Sequence, residues 1–488
     1  MTMPTNAEYL RFLPEIILTL TGVLIMFLEA MSSSRPAPGA WRLSSRIFAP
    51  LSIIGMAAAL IAAATADPGT AFHDMLIVDT LGTFFRVLVI AVGILTVFSS
   101  SEYLRRENSP GGEFYALLIF SVMGQCVMVT ANELIMIFIG LEISSISSYI
   151  LAGYLRDDPR NNESALKYFL LGSFATAFLL YGVAWIYGLT ATTNLELVRK
   201  AIETPGFDSF ALAGIAAALI FVGLGFKISA VPFQVWAPDV YQGAPAPVSA
   251  FLSVGPKAAA FAILLRVFLT AFGPISDRWT PFVWGCALAT MIVGNFAALK
   301  QSNIKRMLAY SSIANAGYIL VAVAAHSDTG AAAVMFYLAA YALTNIGAFA
   351  VITYFARKGE RYVAIDDFAG LAQRQPMMAA MMSIFLLSLI GVPLTGGFFG
   401  KFYIFKSALD SNLVWLTVLG LLNSAVAAYY YLYILVVMYM KEPGESVENL
   451  PPVGFGIQVA VYASAIGTLI LGIFPSTILD YASRTILK

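Results

Sequence analysis

Long apolar runs separated by short polar stretches follow one another along the whole chain. Because a helix rises about 1.5 Å per residue, a run of about 20 residues can cross a hydrocarbon layer about 30 Å thick. Fourteen runs meet this condition, near residues 12–31, 47–66, 77–99, 113–131, 133–155, 164–188, 210–238, 247–272, 281–300, 305–325, 329–356, 377–409, 412–440 and 454–480. The pattern predicts an all-α polytopic membrane protein with one integral membrane domain over residues 1–488.

The composition agrees with this class and narrows the chemistry. Hydrophobic residues make up 59% of the chain and charged residues 11%, whereas soluble domains contain about 25% charged residues. The 28 basic residues balance the 28 acidic ones, so charge indicates no nucleic-acid partner. Two cysteines and two histidines cannot form a four-cysteine cluster or a zinc motif, and no glycine-rich nucleotide loop is present. We therefore expect no cofactor site, no metal site and no redox centre on this chain.

The loops between the runs differ in basic charge, which predicts the orientation of the chain. Numbering the loops alternately collects sixteen basic residues on one side and six on the other. The sixteen are Arg35, Arg42, Arg46, Arg105, Arg106, Arg156, Arg160, Lys167, Lys300, Lys305, Arg306, Arg357, Lys358, Arg361, Arg374 and Lys441, and the six are Arg11, Arg199, Lys200, Arg278, Arg484 and Lys488. The positive-inside rule places the sixteen in the cytoplasm and both termini outside. We expect the first run to be a retained helix, since it is too long for a signal peptide.

The seventh and eighth runs carry the strongest functional signal. The stretch GLGFKISAVPFQVWAPDVYQGAPAPVSAFLSVGPKAAAFAILLR breaks at Pro232, with Lys227 one turn before the break and Lys257 about 15 Å into the next helix. A charged side chain at bilayer depth costs about 2.5–3.5 kcal/mol and is usually kept for a function. A proton-carrying role and a structural ion pair are both open for these lysines, and the broken helix favours an ion path.

The twelfth run repeats this design. It is again too long for one span, breaks at Pro393 and carries Lys401 just beyond the break. Because runs 7 and 12 are five apart, corresponding helices cross in opposite directions. Runs 4–8 and 9–13 are therefore predicted to be inverted five-helix repeats, a design in which broken helices mark the transport site. The predicted parts are residues 1–112 (three N-terminal helices), 113–272 (first repeat), 273–440 (second repeat) and 441–488 (C-terminal helix).

For the other charged residues in the runs, the sequence suggests a partner charge or a position at the membrane interface. Glu142 is the deep acid, and Lys227 is its preferred partner because a carboxylate at the midplane needs a cation. Arg86 follows Asp79 by seven residues, which predicts either a structural pair on one helix face or a transport role. Arg266 is near the outer end of its run and is predicted to extend to the interface.

Several motifs resemble one known family. They are GLE at Glu142, GFK at Lys227, VPFQVWAPDVYQGAPAPVSAFLSVGPKAAAF, KRMLAYSSIANAGY and GVPLTGGFFGK ending at Lys401. Together they resemble the chain-N family of proton-pumping NADH-quinone oxidoreductase (respiratory complex I), which is related to multisubunit cation/proton antiporters. The sequence departs from the motif at Gln234, where histidine is more common. This position cannot take up a proton here.

The resemblance implies a proton-translocating, antiporter-like subunit driven by electron transfer in partner subunits, which would hold the FMN, the iron–sulfur clusters and the quinone. It implies that Glu142 and Lys227 form a control pair, that Lys257 is central and that Lys401 leads to the outlet. The absence of a transit peptide favours a bacterial inner membrane, with a mitochondrion-encoded chain as the alternative, and the loop charge predicts that both termini are periplasmic. Two alternatives stay open: a subunit of a sodium/proton antiporter, and a non-conducting structural subunit.

Overall fold

The computed structural model describes residues 4–32, 41–109, 111–448 and 450–485. Within these residues the chain forms twenty α-helices and two short strands. The helices are α1 (Asn6–Arg11), α2 (Leu13–Ser32), α3 (Trp41–Ala64), α4 (Thr80–Arg106), α5 (Gly112–Thr130), α6 (Leu134–Ala152), α7 (Pro159–Thr190), α8 (Leu195–Glu203), α9 (Phe210–Ile228), α10 (Trp236–Gly243), α11 (Ala246–Arg266), α12 (Ser276–Ala298), α13 (Ile304–Ala324), α14 (Asp328–Phe355), α15 (Leu371–Arg374), α16 (Pro376–Ile390), α17 (Gly396–Asp410), α18 (Val414–Met440), α19 (Phe455–Ile473) and α20 (Ser476–Ala482).

The membrane architecture follows the apolar pattern. In the described part of the chain, 13 helical stretches are long and apolar enough to span a membrane. The twelfth run forms the remaining span from two half-helices, α16 and α17, and the seventh run is likewise divided into α9 and α10. Both predicted breaks are therefore confirmed, as is the all-α polytopic class.

The same helix pairings occur twice. Helix α5 packs along α6 and α7 packs along α9, while α12 packs along α13 and α14 packs along α16. These pairs occupy corresponding positions in runs 4–8 and 9–13, which agrees with the inverted repeats. The residue boundaries proposed for the four parts stay a prediction.

Helix α11 is the centre of the packing. It contacts α4, α5, α9, α13 and α14, and all of its residues are buried. A five-residue π-helical turn, Val267–Ala271, continues it. Because Lys257 lies in the middle of α11, this packing holds a lysine at the centre of the protein.

One small β-hairpin was absent from the all-α prediction. Strand β1 (Gly69–Ala71) pairs antiparallel with β2 (Leu76–Val78) between α3 and α4. The Arg11 guanidinium donates hydrogen bonds of 2.8–3.2 Å to three backbone carbonyls at the start of the hairpin. The strands are three residues long, too short for the alternating pattern that would reveal them.

Two predictions about buried arginines were wrong. Arg86 pairs with Glu15 of α2 at 2.8 Å, and both side chains are almost fully buried. Asp79 is the N-cap of α4 and forms two 2.8 Å hydrogen bonds with Arg266. Arg266 is only 4% exposed, so it does not extend to the interface. The N-cap position directs Asp79 across to α11 instead of along its own helix.

Candidate functional site

Lys257 is held by neutral groups in the middle of α11. Its Nζ donates to the Oγ of Ser312 at 2.5 Å and to the Ser312 carbonyl at 3.2 Å. It also lies 5.9 Å from the centre of the Tyr241 ring. In the described part of the chain no carboxylate lies within 4 Å of this ammonium. The charge of Lys257 therefore depends on hydroxyl and carbonyl dipoles and on more distant charges.

At the first break the backbone is bound by side chains other than that of Lys227. Ser229 has a left-handed backbone (φ +61°), which ends α9. The carbonyl of Phe226 then accepts a 2.9 Å hydrogen bond from the Trp236 indole, and the N–H of Val231 donates to Thr290 at 2.9 Å. Thr290 thereby satisfies a backbone group that a break in a membrane would otherwise leave unpaired, and Trp236 adds a second donor to the Phe226 carbonyl, which also accepts from the Ser229 N–H at 3.0 Å.

Lys227 itself contacts mainly aromatic faces. Its Nζ lies 5.3 Å from the Tyr149 ring centre and 5.1 Å from that of Tyr168. It makes one long hydrogen bond, 3.4 Å, to the Tyr168 hydroxyl. Cation–π contacts of this kind contribute about 0.5–2 kcal/mol. The ammonium is therefore buried but weakly held.

Glu142 does not form the direct pair that was predicted. Within the described residues Lys227 is not within 4 Å of any carboxylate, although Glu142 is close enough for electrostatic attraction. The Oε1 atom of Glu142 is buried without a hydrogen-bond donor. Glu142 is partly exposed and lies on the same face of α6 as Ile139 and Ile146, which are 40% and 53% exposed.

Lys401 takes the role of a helix cap at the second break. Its Nζ donates to the carbonyls of Leu389 and Ile390 at 2.8 and 2.9 Å, and to Ser424 at 2.9 Å. The two carbonyls belong to the last turn of α16, where backbone oxygens lack helical partners and the helix dipole favours a cation. Lys401 is therefore firmly held.

A polar network fills the space between Lys257 and Lys401. Helix α13 carries its main members, and Asn315 joins Ser311 with a 2.8 Å bond from its amide to the Ser311 carbonyl. Further hydrogen bonds link Ser311 to Tyr431, Asn315 to Tyr337, and Asn295 to both Tyr318 and Tyr430. Sequence reasoning included Ser311, Asn315 and Tyr318 in the KRMLAYSSIANAGY motif and left Tyr430 and Tyr431 open between ordering water and packing, but it assigned none of them to the site. The spacing of Ser311, Asn315 and Tyr318 at intervals of four and three in an apolar helix was an available signal.

The predicted cytoplasmic end of the break is fixed by ion pairs. Asp239 of α10 binds Lys167 at 2.7 Å and Arg306 at 2.6 Å. Partial burial raises the pKa of Asp239, but the hydrogen bonds from Lys167 and Arg306 outweigh it and the net pKa lies below its usual range. These contacts connect α7, α10 and α13, and they fix the WAPDVYQGAP motif. Gln234, in the break, keeps a buried Oε1 without a donor.

No metal site is visible in the residues that the structure covers. No cluster of three or more His, Cys, Asp or Glu side chains is arranged to hold an ion there. Cys126 and Cys286 are buried free thiols.

Two inverted repeats with broken helices and buried lysines define an antiporter-like membrane subunit. The family model for NADH:quinone oxidoreductase/Mrp antiporter transmembrane proteins matches residues 131–427. The chain belongs to this family. It is 63% identical to NADH-quinone oxidoreductase subunit N 1 of Solibacter usitatus, over 98% of this chain and 97% of that one. It is 47% identical to subunit N 2 of Koribacter versatilis, over 98% and 96%.

Solved structures share the fold. A chain of respiratory complex I from Thermus thermophilus with bound Aureothin matches with a TM-score of 0.80 and 33% identity, over 96% of this chain and 98% of that one. A chain of the Mrp complex from Dietzia matches with a TM-score of 0.82, over 98% and 96%, but is only 20% identical. The second likeness concerns the fold alone.

Proposed function

We infer that this chain is an antiporter-like, proton-translocating membrane subunit of a bacterial NADH:quinone oxidoreductase. The observation that carries the inference is a series of buried lysines, Lys227, Lys257 and Lys401, at two helix breaks and at the centre of α11. Hydroxyl and amide groups connect the last two. The relatives that match almost the full chain are named as subunits of this enzyme.

The four predicted residues have different parts in this proposal. Lys257 is the central proton carrier, since it has both a hydrogen-bonded hydroxyl and no fixed counter-ion within the described residues. Glu142 controls Lys227, because a carboxylate at a distance still offsets part of the cost of a buried ammonium. Lys401 leads toward the outlet. A change in the position of a counter-charge would release the proton from the lysine it supports.

Partner subunits complete the enzyme. FMN, iron–sulfur clusters and quinone would belong to those subunits, and this chain would hold no redox centre. The partly exposed Glu142 supports a partner against α6, since a carboxylate at bilayer depth should not face lipid. The bacterial relatives support an inner-membrane location. Loop charge supports periplasmic termini, although Arg35, Lys488 and the side chains of Arg42 and Arg46 lie outside the described residues.

The sodium/proton antiporter alternative has the Mrp fold likeness and the shared family model in its favour, but the relatives that match almost the full chain are named as oxidoreductase subunits. A non-conducting subunit would not need three buried lysines, each with a cost that packing alone does not repay. Copurification distinguishes the sodium/proton antiporter alternative from the proposed function. Flavin and iron–sulfur subunits accompany a complex I subunit, whereas small antiporter subunits accompany a subunit of a sodium/proton antiporter.

Replacing Lys257 tests the proposed function. We expect Lys257→Ala to leave the complex assembled and to lower the number of protons pumped per electron in reconstituted vesicles, because it removes a proton site without removing a helix. Lys406→Ala is the matched control, since Lys406 is exposed. Normal stoichiometry in the Lys257 variant would overturn the proposal.

A further inference from the structure

A water-accessible cavity opens at the predicted cytoplasmic end of the first repeat. Its volume is about 620 Å³, and its lining includes four acidic side chains, Glu107, Glu113, Asp157 and Asp158, and one basic side chain, Arg156, which pairs with Glu113 at 3.0 Å. Gly359 also lines it. Acidic walls raise the local concentration of protons by electrostatic focusing.

The loop that contains Gly359 leads from this cavity into the protein. Arg357, Gly359 and Glu360 all have a left-handed backbone, with φ of +57°, +70° and +48°. The Glu107 carboxylate accepts the Gly359 N–H at 3.0 Å, and Arg160 donates to the Gly359 carbonyl at 3.1 Å. Non-glycine residues rarely adopt this conformation unless their surroundings enforce it, and such positions cluster at functional sites.

The loop places Glu360 in a buried ion pair next to the cavity. Its Oε2 is 2.5 Å from the Nζ of Lys305, and the two side chains are 10% and 0% exposed. Its Oε1 accepts the N–H of Ala246, the first residue of α11, at 2.7 Å. Tyr103 hydrogen-bonds to the same carboxylate. A buried pair is weak evidence for stability, because desolvation cancels much of the attraction.

Hydrogen bonds continue from Lys305 toward the membrane centre. Lys305 donates to the Ala244 carbonyl at 2.6 Å. The hydroxyl of Ser249 donates to the same carbonyl at 3.4 Å and to the carbonyl of Tyr241 at 2.8 Å. The Tyr241 hydroxyl donates to the Leu252 carbonyl at 3.1 Å and lies close to Ser312, whose hydroxyl binds Lys257. Polar groups therefore line the way from Lys305 to Lys257, although Lys305 and Ser249 donate to the same carbonyl and not to each other.

We propose that Glu360 takes up protons from the cytoplasmic cavity and that Lys305 passes them toward Lys257. The Glu360 carboxylate accepts one proton from cavity water, which is reprotonated by the bulk solution. Lys305 gives one proton to water that moves along these polar groups, the water passes it to a neutral Lys257, and Lys305 receives the proton held by Glu360. Each cycle moves one proton inward and restores both groups. This inference rests on the proposed function, in which Lys257 carries protons.

The decisive variant removes the whole pair. Glu360→Gln alone leaves Lys305 buried without a counter-ion, a change that can prevent folding. Glu360→Gln with Lys305→Met replaces the pair with neutral side chains of similar size. We expect this double variant to assemble and to pump fewer protons per electron. Asp366→Asn is the matched control, since Asp366 is an exposed acid paired with Lys441 at 2.7 Å. Normal stoichiometry in the assembled double variant overturns the proposal.

A second measurement separates proton uptake from a structural role. Glu360→Asp keeps a counter-ion for Lys305 on a shorter arm, so it should assemble, and weak acids small enough to enter the cavity should restore the proton-coupled turnover that it loses. The restored rate should follow the acidity of formate, acetate and imidazole buffers, as general acid–base catalysis requires. If the double variant does not assemble, this series decides. Rescue that depends on acidity supports the proposal, and no rescue, or rescue independent of acidity, overturns it.

The outcome can be distinguished from failure of the proposed function. If Lys257→Ala pumps normally, the chain does not carry protons through its centre, whatever Glu360 does. If Lys257→Ala lowers the stoichiometry while the Glu360 variants do not, only the uptake proposal fails. Asp158, Arg160, Glu107 and Tyr103 surround the pair and stay unchanged in all variants.

Discussion

The two broken helices differ in which side chain binds the backbone carbonyls at the break. At the first break the Phe226 carbonyl accepts from the Ser229 N–H and from the Trp236 indole, and Lys227 is left with aromatic faces and one 3.4 Å hydrogen bond. At the second break Lys401 itself binds the free carbonyls of Leu389 and Ile390. A helix end that needs its lysine holds that lysine in place, whereas a helix end satisfied by other groups leaves its lysine responsive to a distant carboxylate.

This difference suits the roles proposed for the two lysines. Lys227 is buried and weakly held, so its charge is the more sensitive to Glu142. Lys401 is held by three oxygens at 2.8–2.9 Å, so it keeps its place near the end of the path. The two inverted repeats therefore share a broken helix with a buried lysine, but the first repeat holds its lysine more weakly than the second.

The largest expected effect concerns the geometry of the second break. A Cβ atom on Gly397 would lie 1.9 Å from the Ser388 backbone carbonyl, whereas one on Gly225, beside the first break, would meet two side-chain rings, Phe233 at 3.0 Å and Phe221 at 3.3 Å. We expect Gly397→Ala to prevent stable assembly, since overpacking against backbone costs about 1–3 kcal/mol or more. Gly225→Ala should assemble nearly normally, because an aromatic side chain can shift. Native gels and thermal stability of the purified complex measure both; equal stability of the two variants would contradict the comparison.

The second prediction removes each lysine in turn. Lys401→Met leaves the carbonyls of Leu389 and Ile390 without donors, and each unsatisfied buried group costs about 1–3 kcal/mol. Lys227→Met removes one long hydrogen bond and two cation–π contacts. Lys401→Met should therefore lower the melting temperature of the complex more than Lys227→Met does. The reverse order would show that Lys401 is not a helix cap.

Much of this comparison could be predicted from the sequence. Pro232 and Pro393 cannot donate the backbone hydrogen bond of a continuous helix, so each break was visible. Lys227, Lys257 and Lys401 were visible because charge is costly in an apolar run. These signals are local, and the structure confirms the breaks and the burial that they predict.

The partners of these residues could not be predicted, because they come from distant helices. Nothing local in the sequence brings Ser312 to Lys257 or Ser424 to Lys401, since the rotation of each helix is set by packing. The pairing predicted for Arg86 failed for this reason: spacing along one helix suggested Asp79, whereas Glu15 approaches from α2. Glu360 and Lys305 were missed because both lie at the ends of runs, where charge is ordinary.

The smallest effect on stability is expected at the Glu142 and Lys227 pair, which interacts without direct contact. Glu142→Gln should impair proton pumping, because it removes the attraction that supports a charged Lys227. Glu142→Asp keeps the charge on a shorter arm and should impair pumping less.

The double variant Glu142→Gln with Lys227→Met should assemble at least as well as either single variant, since an absent pair costs less than an unpaired buried charge, but it should not pump. A double-mutant cycle on assembly and on proton transport measures the interaction. Because the groups do not touch, we expect a coupling energy near the lower end of the usual range, about 0.5 kcal/mol. Its sign should be that of an attraction. Strictly additive effects in both measurements would mean that the two residues act independently, and that the weak hold on Lys227 at the first break serves some purpose other than control by Glu142.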